Sequence, residues 1–446
     1  MTSIYDKKIS KQIFSLAFPT WIAFLSKDLL GIADMLFVSR LGAKSIAAVS
    51  LSGIILGIIF MMGHGISSGT VALVSQAVGR KDKEGSKLYA SQSISLSFIT
   101  GLVISIICIP FSDHIISAVG GKGEVITLGS SYLSIIALVA PVLLMLVSME
   151  TSIRGNNDAK TPFKSMLIAN VVNIVLDPIL IYGWFGFPEF GVNGSAIATM
   201  IAIIVAFCIL TYSILIGKHK NNIVNSKEFI PKPLIFKKIF NIGIFSSGKM
   251  FIMNIFGLFF MRLVSSFGTV ALAAFGIGLR LRIMIFGPSM GFGVASSVLT
   301  GQFIGAKRPD KAKTAIIQTT FSIIIICLIF NFLFFFFARD IISWFSSEPD
   351  ILKAGITFLR WFSFSFIFLG SSLVLGRAMD GAGYTKMPMI IHAVALILIG
   401  LPLGYYLAST TLGLRGIWLS IVISNAIMTF LLVLDISRGK WINRIC

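Results

Sequence analysis

Long apolar runs alternate with short polar, mostly basic stretches along the 446 residues of this chain. A helix that crosses a bilayer needs about 20 largely apolar residues, because hydrocarbon offers backbone groups no water to bond. Twelve runs meet that need, near residues 12–40, 45–78, 88–110, 124–153, 162–184, 193–216, 235–263, 270–302, 313–338, 350–377, 388–408 and 414–435. Polar punctuation such as GRKDKEGSK (79–87) and GAKRPDKAK (305–313) separates them. The pattern predicts an all-α membrane protein with twelve transmembrane helices.

The same pattern repeats. At an offset of 226 residues, DMLFVSRLGAKSIAA (34–48) falls on FMRLVSSFGTVALAA (260–274), SQAVGRKDK (75–83) on GQFIGAKRP (301–309), and GNNDAKTP (155–162) on GAGYTKMP (381–388). Later, GVNG (191–194) meets GLRG (413–416) at 222. The chain therefore reads as two six-helix bundles, an N-terminal lobe over 1–216 and a C-terminal lobe over 239–446, joined by a basic cytoplasmic linker at 217–238. Six spans per repeat give both lobes the same orientation, related by a pseudo-two-fold axis along the membrane normal. Such a pair around a central cleft is suited to alternating access.

Composition agrees with a membrane protein: 56% of residues are hydrophobic and 12% charged, against about 25% charged in a soluble domain. The net charge of +19 reports orientation. Of 37 Lys and Arg, 25 fall on the side that carries both termini. Arg40, Lys44, Lys122, Arg339, Lys353 and Arg415 fall on the other, and Lys27, Lys249, Arg262, Arg280, Arg282 and Arg360 lie within spans. The positive-inside rule then places both termini in the cytoplasm and the protein in the cell membrane. It gives no reason to expect nucleic acid. Cys108, Cys208, Cys327 and Cys446 show no C-x-x-C spacing, and a removed signal peptide is not expected. No phosphate-binding G-x-x-x-x-G-K-[ST] loop is present, so ATP hydrolysis on this chain is not the expected energy source.

Against this background two acids stand out. NIVLDPILIYG (173–183) carries Asp177 inside an apolar run, and Asp34 sits late in the first span. A charge at the bilayer centre costs roughly 2.5–3.5 kcal/mol even on lenient scales. At the repeat offset Asp34 meets Phe260 and Asp177 meets Leu403, so only one lobe keeps the acids. Counted along the helices, Asp34, Asp177 and Thr199 all fall in the outer half of the bilayer, and Asn173 lies one turn from Asp177 on the same face. Pro178 cannot donate to the carbonyl of Ile174, which marks a hinge and frees an acceptor. The resulting set of hard oxygens suits a proton or a small hard cation. Carboxyls removed from water and set side by side can bind and release H⁺ near neutral pH. One charge moved down about 100 mV supplies about 2.3 kcal/mol.

The stretches ADMLFVSRLG (33–42), RGNNDAKTP (154–162), NIVLDPILIYG (173–183), GVNGSAIAT (191–199) and TTLGLRGIW (410–418) together resemble the multidrug and toxic compound extrusion (MATE) family, closest to its prokaryotic DinF-like branch. The resemblance covers all twelve spans. It implies a secondary antiporter, not an enzyme, that expels small organic, often cationic, compounds in exchange for H⁺ or Na⁺. The cation site would lie in the N-terminal lobe at Asp34, Asn173, Asp177 and Thr199. No cofactor or resident metal is implied, and a monomer in the lipid bilayer is expected. The family's other branch places acids in the seventh and tenth spans, where this chain shows Lys249 and Arg360 and no carboxylate at mid-depth.

Lys27, seven residues before Asp34, departs from the uncharged polar residue common in relatives. It either opposes a metal cation at the site, snorkels, or pairs with Asp28 or Glu150. Arg280 and Arg282, with Lys27, are candidates for lining a substrate cleft. They also leave open a lipid-linked oligosaccharide flippase of the same superfamily, in which they would meet a polyprenyl phosphate.

Overall fold

The computed structural model describes residues 7–217 and 223–442. Residues 1–6, the stretch 218–222 within the linker, and Cys446 lie outside the described residues. Twelve long helices follow one another: α1 (Lys7–Ser39), α2 (Ala43–Gly79), α3 (Lys83–Cys108), α4 (Glu124–Gly155), α5 (Lys160–Tyr182), α6 (Val192–Leu215), α7 (Pro233–Ser265), α8 (Thr269–Gly305), α9 (Pro309–Phe336), α10 (Pro349–Gly381), α11 (Lys386–Ser409) and α12 (Leu414–Ser437). Eleven of these are long and apolar enough to cross a membrane among the described residues. The twelfth, α1, has its apolar run broken by Lys27, Asp28 and Asp34.

Two details of these helices follow from sequence. Helix α8 makes a turn at Arg282 between the stretches Thr269–Leu281 and Ile283–Gly305. Helix α11 contains a π-helical stretch, Ala393–Gly400, in which the Leu401 N–H donates to the Leu396 carbonyl. Pro402 lies directly beyond it; its ring nitrogen cannot serve the Leu398 carbonyl, so the backbone there departs from the regular α pattern.

The chain forms two compact units, Ile22–Gly243 and Met1–Trp21 with Ile244–Cys446, called here the N-unit and the C-unit. In the N-unit α4 is the central helix, packed by α2, α3 and α6, while α5 lies on α6. In the C-unit α10 takes the same place among α8, α9 and α12, and α11 lies on α12. These are corresponding pairs of the repeat. Small residues hold the helices close, as expected where lipid tails compete equally for apolar surface. In the N-unit Ser97 and Ser148 hydroxyls meet at 2.5 Å, and Ser105 donates to the Ala137 carbonyl at 2.6 Å.

The units are drawn differently from lobes cut at 216 and 239. Helix α1 begins in the C-unit and α7 begins in the N-unit. Within the N-unit Gly243 of α7 packs so closely on Gly65 of α2 that a Cβ there would lie 2.6 Å from the Gly65 carbonyl oxygen. Within the C-unit the corresponding Gly291 of α8 packs on the Ala17 backbone and Trp21 of α1. The linker's described part also belongs to the N-unit. Ile223 is buried, the Gln92 Nε2 donates to the carbonyls of Glu228 (2.6 Å) and Ile230 (2.7 Å), and the Lys232 N–H returns to Gln92 Oε1 at 2.7 Å.

Candidate functional site

The four N-terminal oxygen-bearing residues singled out in the sequence come together inside the N-unit. Asp177 and Asn173, one turn apart on α5, are both fully buried, while Asp34 on α1 and Thr199 on α6 are half-buried. Taken as a carboxylate, Asp177 has no donor for either oxygen among the described residues. The Asp34 carboxyl lies within electrostatic reach of it. Two buried carboxyl groups set near each other can hold a proton between them.

Asn173 ties the pair to α6. With the amide turned so that both ends are satisfied, its NH₂ donates to Asp34 Oδ1 at 2.9 Å and its oxygen accepts from the Thr199 N–H at 3.1 Å. Turned the other way, the NH₂ reaches only Thr199 Oγ1 at 3.4 Å. The first orientation leaves no buried group facing its own kind. The amide oxygen expected to face a bound cation is thus engaged with α6.

Packing fixes this geometry. Gly194 lets α6 approach α5: a Cβ there would stand 2.4 Å from the Leu180 carbonyl oxygen, three residues beyond Asp177. The Tyr182 hydroxyl donates to the Phe37 carbonyl at 2.5 Å and ties the end of α5 to the end of α1. Pro178 is buried, and α5 runs through it without a break. Tyr132 of α4 is also buried here, with Ser195 beside its hydroxyl and both aspartates within electrostatic reach. Sequence reading passed over Tyr132 because an aromatic in an apolar span carries no signal of its own.

Lys27 does not join the acid pair. Its Nζ lies 3.5 Å from the Phe60 ring centroid, and the acids near it are Glu150 and Asp28. Glu150 itself pairs with Arg154 at 3.0 Å.

A family model described as MatE matches residues 19–179 and, separately, 246–406. The chain belongs to this family. The two matches lie 227 residues apart, beside the offset of 226 read from the motifs, so the family's unit is one bundle and the chain carries two. The chain is similar to the probable multidrug resistance protein YoeA of Bacillus subtilis, 28% identical over 406 residues that cover 90% of this chain and 88% of that protein. It is similar to the probable multidrug resistance protein NorM of Thermotoga maritima, 27% identical across 98% of this chain and 94% of the relative. A solved structure described as the outward-facing conformation of a multidrug resistance MATE family transporter superposes with a TM-score of 0.90 at 27% identity, covering 98% of this chain and 97% of that one. Members of the family are membrane transporters.

The C-unit of this MATE chain treats the corresponding positions differently. Phe260, at the Asp34 position, is buried, packs tilted against Phe256 at 4.4 Å between centroids and lies over Gly404 of α11. Charge is concentrated elsewhere. Lys249 of α7 is buried against Asp380 of α10 at 2.5 Å, donates to the Gly376 carbonyl at 3.2 Å, and Ser246 donates to the other Asp380 oxygen at 3.0 Å. Asp380 lies beyond the tenth span as read from sequence, at the end of α10 and not at mid-depth. Helix α10 runs on to Gly381 and takes Asp380 into the buried part of the helix. Of the other in-span cations, Arg360 donates to the Phe335 carbonyl at 3.3 Å and lies over that ring. Arg280 is exposed and Arg282 half-buried, and neither forms an ion pair among the described residues.

Proposed function

We propose that this MATE family member is a secondary antiporter of the cell membrane, with both termini cytoplasmic, that exports small cationic or amphipathic organic compounds in exchange for protons. Asp34 and Asp177 carry the coupling proton, and Asn173 and Thr199 position it. The observation that carries this reading is the buried acid: Asp177 is fully buried, has no donor for its oxygens among the described residues, and has the Asp34 carboxyl within electrostatic reach. Entry of a proton stabilises the pair; its departure leaves a buried, unpaired carboxylate, a costly state that couples protonation to the packing of α1, α5 and α6. Sodium fits less well, because Asn173 turns its nitrogen toward Asp34 and its oxygen toward α6.

Efflux of a panel of fluorescent dyes from proteoliposomes tests this. Dye movement is expected under an imposed pH gradient and not under an imposed sodium gradient alone. Movement driven only by sodium, or no movement under either gradient, would overturn proton-coupled export.

A further inference from the structure

Helix α1 presents two kinds of exposed surface. Leu25, Leu29, Ile32 and Leu36 are 40%, 58%, 54% and 64% exposed and recur at helical spacing, an apolar stripe suited to lipid tails. Lys27 is exposed as well, but two residues from Leu25 it points to nearly the opposite side of the helix, on the face that carries Asp34. An ammonium kept off the apolar stripe marks a face open to water or to a polar solute.

On that face Lys27 is itself held as a ligand would be. Its Nζ sits 3.5 Å from the centroid of the half-buried Phe60 ring, well within the distance at which a cation is drawn to an aromatic face. Glu150 and Asp28 supply negative charge nearby, and Glu150 shares its own with Arg154. Two acids and two bases balance while Lys27 is present. Without it the group is left with a net negative charge beside a bare aromatic face, which is what a quaternary ammonium requires.

The repeat shows which part of this arrangement is scaffold. At the offset of 226, Phe60 meets Phe286, whereas Lys27 meets Met253, Asp28 meets Asn254 and Glu150 meets Gly376. Both halves keep the ring. Only the first sets a lysine over it with Asp28 and Glu150 nearby, while Arg154 meets Asp380.

We propose that the Phe60 ring with Glu150 and Asp28 is an ammonium-recognition site that the chain fills with its own Lys27, which thereby selects against exported compounds bearing a fixed positive charge. The inference rests on the export of organic compounds but not on proton coupling, and its test imposes no gradient. Binding of choline and of its uncharged isostere 3,3-dimethylbutan-1-ol to the purified full chain is measured by titration calorimetry for the native protein, Lys27→Ala and Lys27→Gln. Both variants are expected to bind choline about tenfold more tightly than the native chain, with the isostere unchanged. Adding Phe60→Leu is expected to abolish the gain. Native-like elution and thermal unfolding of either lysine variant establish that it is folded. No gain in either folded variant, an equal gain for the isostere, or a gain that survives Phe60→Leu would overturn the proposal.

Discussion

The region around Asp34 in the N-unit and the region around Phe260 in the C-unit are built on corresponding helices of a duplicated bundle, and they carry opposite chemistry. In one, an acid on α1 meets an acid and an amide on α5. In the other, a phenylalanine on α7 lies over a glycine on α11. At the repeat offsets Asn173 and Thr199 meet Ile399 and Ile421, so every polar member of the first set has an apolar counterpart. A duplicated scaffold needs its shared packing twice; a proton site is needed once. The C-unit is not uncharged, but its buried Asp380 is paired with bases. Lys249 and Asp380 pair in a cluster with Ser246, Gly376 and, at 3.9 Å, Arg377, whereas Asp177 has no donor for its oxygens among the described residues.

The largest effect should come from breaking that dependence. Asp177→Asn is expected to reduce pH-driven dye efflux to the background of protein-free vesicles while the protein inserts and elutes normally. Normal efflux by this variant would remove the difference between the two units. Next, Lys249→Met takes from the buried Asp380 its closer base and leaves it only Arg377 at 3.9 Å. A loss of about 3–5 kcal/mol is expected, read as a lower thermal midpoint in detergent, and Lys249→Met with Asp380→Leu should recover most of it. That recovery would show the C-unit pair to be structural.

Much of this was legible in the sequence. The spans, the internal repeat and the set Asp34, Asn173, Asp177 and Thr199 follow from hydropathy, self-comparison and depth along a helix, all of which are one-dimensional quantities. What failed to appear there depends on partners distant in sequence. The ion pair of Asp380, at the end of α10, with Lys249 of α7 joins residues 131 apart in the chain. The exchange of the first turns of α1 and α7 between units depends on close backbone approaches at Gly65 and Gly291 that no hydropathy pattern records. The orientation of the Asn173 amide is a matter of hydrogen-bond satisfaction, invisible until Thr199 is in place.

Smaller perturbations sharpen the comparison. Gly194→Val pushes α6 away from the Leu180 carbonyl and is expected to cost about 1–3 kcal/mol, with weaker coupled efflux and a lower thermal midpoint. Tyr182→Phe removes the bond to the Phe37 carbonyl and is expected to cost about 0.5–1.5 kcal/mol, with efflux retained. A Tyr182→Phe loss as severe as that of Asp177→Asn would mean that the tie between α1 and α5, and not the acid pair, sets activity.

Infrared difference spectroscopy of the protein in lipid, stepped across the pH range over which efflux switches on, observes the shared proton itself. A carboxylic-acid carbonyl band should appear and vanish with that step, be lost in both Asp34→Asn and Asp177→Asn, and persist in Asp380→Asn. A native spectrum without such a band, or a band that survives both N-unit substitutions, would contradict the assignment of the coupling proton to this pair.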